Sequence, residues 1–324
     1  MKHSKSSICI LDAYTTNPGD LSWSALRKLG PLRIHDRTSS EERLERAAGN
    51  QILVTNKVLL DRQILEKLPE CRLVCLLSTG TNSVDLVACR ERGIPVCNIP
   101  AYSTASVAEL TFALLLEWAR GAHVHSEAVK AGGWVACPDF SFTRSPQREL
   151  AGKTIGLIGF GEIAQAVARM AVAFGMKVLA YTPHPTGTPE LGQTFVPLEK
   201  LWSGSDVISL HCPLTDDTEG MVNPERIARM KKGAVLINTG RGGLLDEAAV
   251  AEALRTEQLG AALLDVLSTE PPSVDNPLLS APHCILTPHI AWATRSARER
   301  LISILVRNVA AYLDGAPIHV VNGV

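Results

Sequence analysis

The chain is read as an α/β protein of two doubly wound parallel sheets, and three observations predict that class. Short apolar runs without polar alternation recur along the sequence, as expected of strands buried on both faces. Amphipathic stretches of helical character separate them and supply crossovers. The alternation runs through about the first hundred residues, is interrupted, and restarts at Lys153, which matches the two domains expected of 324 residues at roughly 150 per domain.

Taken in order, the first series places strands at 8–11, 32–34, 52–54, 73–77 and 95–98, with helices near 21–29, 41–48, 61–67 and 85–92. Residues 102–130 have few breakers, open on Ser103-Thr104 and are rich in Ala, Leu and Glu, which predicts one long helix. Residues 132–152, with Trp134, Pro138 and Pro146, form a loop long enough to be functional or packed on a partner. The second series places strands at 154–158, 177–181, 207–210, 234–238, 261–265 and 284–287, with helices at 162–174, 224–230 and 246–256. Six strands with helical crossovers match a dinucleotide-binding sheet. A last helix is expected at 294–313, returning to the first domain.

Composition excludes several classes. Apolar residues make up 46% and charged residues 20%, so the chain is neither disordered nor fibrous. Basic and acidic side chains number 32 and 33, and no Lys/Arg run forms an electrostatic footprint, so nucleic acid and anionic membrane are not expected partners. The eight cysteines are scattered without a Cys-x-x-Cys pair and sit largely in apolar runs, which predicts reduced, buried thiols and a cytoplasmic location. No metal site is expected. The opening residues lack the apolar core of a signal peptide, and no apolar run approaches the roughly 20 residues of a membrane span.

The strand at 154–158 runs directly into Gly159-Phe160-Gly161-Glu162-Ile163-Ala164 and then an Ala-rich helix. The first glycine permits the tight strand-to-helix turn, and the second lets a pyrophosphate approach the backbone. The third position needs only a small residue, which Ala164 supplies. Free amides and the helix dipole at this terminus favour phosphate. Tyr181-Thr182 ends the next strand, where an NAD-preferring site usually carries Asp or Glu for the ribose 2′-OH. Thr182 lifts the repulsion against a 2′-phosphate, but no arginine follows to bind one, and only His184 is a prospective cation. Either NAD or NADP is therefore expected, and use of both is an open possibility.

Three further residues follow successive strands, where open α/β sheets place ligands. Arg241, in Asn238-Thr239-Gly240-Arg241-Gly242, is placed to grip a carboxylate with its bidentate fork. Glu270 precedes Pro271, and His289 lies in Thr287-Pro288-His289-Ile290. A carboxylate paired to imidazole stabilises imidazolium and suits a general acid.

These motifs, with Leu264-Asp265-Val266, resemble those of the D-isomer-specific 2-hydroxy acid dehydrogenase family along essentially the whole chain. The resemblance implies a flavodoxin-like substrate domain of residues 1–101 and 292–324, closing over a Rossmann domain of residues 102–291. It also implies a homodimer joined through the nucleotide domain and the 132–152 loop. By the same resemblance His289 donates or accepts the proton, Glu270 is its partner and Arg241 anchors the substrate. The backbone amides of Thr79 and Gly80 hold the rest of the substrate carboxylate. The implied cofactor contacts are Thr104, Gly159, Gly161, Glu162, Ile163, Tyr181, Thr182, His211, Pro213, Thr218, Thr239, Arg241, Asp265 and His289, with Asp265 on the nicotinamide amide.

The implied reaction is hydride transfer between NAD(P)H and a small 2-keto or 2-hydroxy acid. Leu53-Val54-Thr55-Asn56-Lys57 and the residues from Thr287 to Thr294 are similar to the glycerate dehydrogenase, or hydroxypyruvate reductase, branch. That similarity points to hydroxypyruvate/D-glycerate or glyoxylate/glycolate, with other 2-keto acids as alternatives. A formate enzyme is disfavoured by Glu270 where that branch carries glutamine, and a phosphoglycerate enzyme by the lack of an extra C-terminal domain. The competing class is a non-enzymatic dinucleotide-sensing protein like the family's transcriptional corepressors, which fold alone does not exclude. No long disordered tail or basic segment favours it here.

Overall fold

The computed structural model describes residues 6–183, 185 and 192–324, so His184 lies outside the described residues, as do the first five. The chain divides into two compact units, one comprising Met1–Ser103 with Ala293–Val324 and the other Thr104–Trp292.

The first unit alternates strictly: β1 (Ile8–Ile10), α1 (Ser24–Arg27), β2 (Leu32–Ile34), α2 (Arg43–Ala47), β3 (Ile52–Thr55), α3 (Arg62–Glu66), β4 (Leu73–Leu76), α4 (Leu86–Glu91), β5 (Val96–Cys97). Its sheet is parallel in the order β2-β1-β3-β4-β5, the flavodoxin-like arrangement. Every residue of β1, β3 and β4 is buried, which explains why the sequence shows no polar alternation there. Leu53, Val74 and Leu76 anchor the core beneath α3 and α4, whose N-termini are capped by Asp61 and Asp85.

The second unit opens with α5 (Thr104–Arg120) and α6 (Ala122–Lys130). The single helix expected over 102–130 is thus two. The break falls at Gly121, whose backbone is left-handed (φ +56°), a conformation that ends a helix. Then follow β6 (Thr154–Ile158), α7 (Glu162–Ala173), β7 (Lys177–Tyr181), β8 (Gln193–Phe195), α8 (Leu198–Gly204), β9 (Val207–Leu210), α9 (Pro224–Arg229), β10 (Ala234–Asn238), α10 (Glu247–Arg255), β11 (Leu259–Leu264) and β12 (Cys284–Leu286). Short 3-10 turns at Gly242–Leu244 and Pro277–Ser280 flank α10 and β11.

The sheet order β12-β11-β10-β9-β6-β7-β8 is a Rossmann order carrying one strand beyond the six expected. The addition, β8, is three residues long and pairs with β7 from Val178 to Ala180. Two apolar clusters sandwich the sheet, one around Trp202, Leu236 and Leu264 and the other around Phe112, Leu157 and Leu263. The chain ends in the first unit with α11 (Arg295–Leu313), capped by the Thr294 hydroxyl.

All eight cysteines are free thiols. Among the described residues no helix is long and apolar enough to cross a membrane.

Candidate active site

The glycine turn has the geometry that phosphate recognition requires. Gly159 has φ +86°, and a Cβ there would come 2.6 Å from the amide nitrogen of Cys212, so only glycine fits. Gly161 is the N-cap of α7 and provides no side-chain cap, whereas α9 and α10 are capped by Asn223 and Asp246. The first amides of α7 therefore lack a side-chain acceptor. A Cβ added at Gly161 would meet nothing within 4 Å, which leaves open space in front of them. Glu162 and Ile163 form the first turn, with Ile163 packed on the core and the Thr104 hydroxyl donating to Glu162 Oε2 (3.3 Å). An anionic pyrophosphate fits this terminus.

The remaining nucleotide-side residues lie at the C-terminal ends of the neighbouring strands. Tyr181 ends β7, its carbonyl accepting from the Gly159 amide (2.9 Å), and Thr182 follows it half-buried. His211 follows β9; its Nε2 is 2.9 Å from Ser209 Oγ, and burial pulls its pKa down to about 4. The ring is therefore neutral at physiological pH and offers hydrogen bonding without charge. Thr218 ties the next loop together, its hydroxyl donating to the Pro213 carbonyl (2.7 Å). Thr239 follows β10, with its hydroxyl 3.3 Å from that of Thr111.

Arg241 stands on a turn held by its own neighbours. Asn238 Nδ2 donates to the Arg241 carbonyl (2.8 Å) and Asn238 Oδ1 accepts from the Gly240 amide (3.0 Å). The guanidinium is exposed, donating to the Gly240 carbonyl (2.8 Å), and among the described residues no carboxylate pairs with it. A surface salt bridge, the ordinary fate of such an arginine, is not what it makes. Gly242 packs flat on the loop after β11; a Cβ there would lie 1.9 Å from the Leu267 carbonyl carbon. That contact locks the Arg241 turn against the loop that carries Glu270.

Glu270 and His289 are brought together from different loops: His289 Nδ1 donates to Glu270 Oε2 at 2.6 Å. A carboxylate at Nδ1 fixes the proton there and leaves Nε2 for exchange. His289 has φ +54°, a left-handed conformation uncommon outside glycine and concentrated at functional sites.

Asp265 explains how that conformation is held. Its carboxylate, in a residue only 1% exposed, accepts from the Thr287 hydroxyl (2.6 Å) and from the Ile290 (2.9 Å) and Ala291 (2.8 Å) amides. The His289 amide donates to the Asp265 carbonyl (2.8 Å). Asp265, expected from the sequence on the nicotinamide amide, clamps the turn bearing His289, a role its sequence neighbours did not signal.

Thr79 and Gly80 belong to the other unit. Thr79 Oγ1 donates to the Ile99 carbonyl and Ser78 Oγ to the Gly80 carbonyl, both at 2.7 Å, which pins the loop. Among the described residues neither the Thr79 nor the Gly80 amide has an acceptor, so both are available to an anion.

Comparison with known proteins agrees with this arrangement. Residues 112–291 match the model of the D-isomer specific 2-hydroxyacid dehydrogenase, NAD binding domain. A hydroxypyruvate reductase from Blautia hydrogenotrophica is 47% identical over 319 residues, covering 97% of this chain and 99% of its own. A glycerate dehydrogenase from Methylorubrum extorquens is 40% identical over 283 residues, covering 87% and 88%. Among solved structures, an acyclic imino acid reductase in complex with NADPH and D-Arg is 31% identical with a TM-score of 0.83, covering 97% of this chain and 99% of that one. An uncapped glycine turn, an imidazole–carboxylate pair, an arginine without a carboxylate partner and these likenesses all agree: the chain belongs to the D-isomer-specific 2-hydroxyacid dehydrogenase family.

Proposed function

We propose that the chain reduces hydroxypyruvate to D-glycerate, with glyoxylate as a second substrate, and that it accepts both NADH and NADPH. The observation that supports this most is the 2.6 Å His289–Glu270 pair on the same sheet edge as an arginine committed to no carboxylate. The α7 terminus and Gly159 would hold the pyrophosphate, Thr182 the ribose, His211, Pro213 and Thr218 the adenosine side, and Thr104, Thr239 and Asp265 the nicotinamide side. Bound there, the reduced nicotinamide supplies the hydride that a 2-keto carbon accepts.

The chain's own residues do the rest. Arg241 binds the keto acid's carboxylate and faces the carbonyl oxygen, where it offsets the charge that develops. His289 gives the proton at Nε2 to that oxygen, and Glu270 stabilises the imidazolium beforehand. The product is the 2-hydroxy acid with its carboxylate still on Arg241. The relatives that are a hydroxypyruvate reductase and a glycerate dehydrogenase support this substrate.

Comparing kcat/KM across hydroxypyruvate, glyoxylate, pyruvate and phosphohydroxypyruvate with each coenzyme tests the assignment. Hydroxypyruvate is expected to rank first. A thousandfold preference for NADH would end the dual-coenzyme reading, for which Thr182 in place of an acid is the support.

A homodimer through the second unit is part of the same proposal. No residue of α6 is buried, and the following loop leaves Val135 94% and Phe140 91% exposed, with the half-exposed Trp134 indole donating to the Phe140 carbonyl. Such a cluster on one arm fits a second copy of the chain. Light scattering is expected to give twice the chain mass; a monomer at micromolar concentration would contradict it. The free thiols suit a reducing, cytoplasmic compartment.

A further inference from the structure

Glu270 sits on an exposed loop running from the end of β11 to the 3-10 turn at Pro277–Ser280, yet its carboxylate must stay within 2.6 Å of His289 Nδ1. Within the loop, the Leu267 amide supports that side chain by donating to Glu270 Oε1 (3.2 Å). The loop is fastened from outside by Glu247, the first residue of α10. Glu247 Oε1 accepts from the Ser268 amide (2.6 Å) and Oε2 accepts from Asn276 Nδ2 (2.8 Å). One carboxylate thereby grips both flanks of the segment that carries Glu270. Its place at the start of α10, beside the positive end of the helix dipole, favours the charge this requires.

The orientation of Asn276 makes the requirement strict. Asn276 Oδ1 accepts from the Leu278 amide (3.0 Å) as the cap of the 3-10 turn, so its NH2 must face Glu247. Position 247 must accept from two donors at once; an amide there has one acceptor oxygen, so its NH2 is set against either the Asn276 NH2 or the Ser268 N–H. Gly242 packs against the Leu267–Ser268 peptide of the same loop, so the segment is held by both the Arg241 turn and α10.

We propose that Glu247 is a positioning residue for Glu270, acting through the Ser268 amide and the Asn276 side chain. Its two carboxylate oxygens are occupied by those two donors. The proposal rests on the reading of His289 and Glu270 as the proton-transfer pair, and it assigns α10 a part in that pair's geometry.

Two variants and their combination test it. Glu247→Gln is expected to lower kcat about 10–100-fold, because a small misplacement of a reacting group costs that much, with KM for NADH unchanged. Asn276→Asp alone opposes two carboxylates and is expected to do likewise. Combined, they reverse the polarity of the bond: the amide introduced at position 247 donates to the carboxylate introduced at position 276, while its oxygen still accepts from the Ser268 amide. In that double variant kcat is expected to recover. In a Glu270→Gln background, Glu247→Gln is expected to add nothing further.

An independent readout is the downfield imidazole proton of the His289–Glu270 bond in NMR, identified by its loss in Glu270→Gln. It is expected to disappear in Glu247→Gln and to return in the double variant. An unchanged resonance and unchanged kcat in Glu247→Gln would overturn the proposal, as would a loss that the double variant does not rescue. If the wild type oxidises no NAD(P)H, the functional reading fails, while the resonance still decides the positioning role.

Discussion

Asparagine at position 289 is expected to lower kcat for keto-acid reduction by about 10²–10⁴-fold, the usual worth of a positioned general acid, with a far smaller effect on coenzyme binding. Asparagine is the informative replacement because, like histidine, it tolerates the left-handed backbone found here (φ +54°), so the turn clamped by Asp265 survives. Alanine would mix the loss of the proton donor with strain in that turn. The measurement is steady-state kinetics with hydroxypyruvate, together with coenzyme affinity by fluorescence. Near-normal turnover in His289→Asn would remove His289 from the mechanism.

Methionine at position 241 is expected to raise KM for the keto acid and to reduce kcat/KM by about 10²–10³-fold, from two charge-assisted hydrogen bonds worth about 1.5–3 kcal/mol each, partly offset by solvation. Methionine keeps much of the apolar stem and removes the fork. The backbone should not respond, because the turn is held by Asn238 and by the contact of Gly242 with Leu267, neither of which uses the guanidinium. Lysine should recover only part of the loss, since a single ammonium cannot reproduce bidentate geometry. A variant with unchanged KM for hydroxypyruvate and reduced affinity for NADH would reassign Arg241 to the coenzyme.

Much of this site is legible in the sequence because its signals are local. A glycine turn between a strand and a helix, and single polar residues just past apolar runs, are short patterns with fixed geometric meaning. Gly159, Arg241, Glu270 and His289 all fall in such patterns. What escaped depends on contacts between distant residues. Asp265 reads as the end of a buried strand, but its carboxylate is committed to three donors more than twenty residues away. Glu247 reads as an ordinary acid in a first helical turn, and its grip on Ser268 and Asn276 becomes visible only in the fold.

The fold shows the same division. Six strands of the second unit were legible as apolar runs, whereas their order in the sheet was not, and β8 is three residues with only Gln193 buried, too little pattern to mark a strand. The helix expected across Gly121 broke there because a lone glycine in an Ala- and Leu-rich stretch is compatible with either outcome until its backbone is seen to be left-handed.

The near-zero net charge assigns attraction for an anionic substrate to particular groups rather than to the whole molecule. In the proposed site the Arg241 guanidinium, which no carboxylate among the described residues neutralises, is the group that would supply it. The most direct measurement is chiral analysis of the product formed from hydroxypyruvate by the purified chain with NADH and NADPH. The expected result is D-glycerate, formed in step with coenzyme oxidation; L-glycerate, or no coenzyme oxidation with any of the four keto acids, would contradict the assignment.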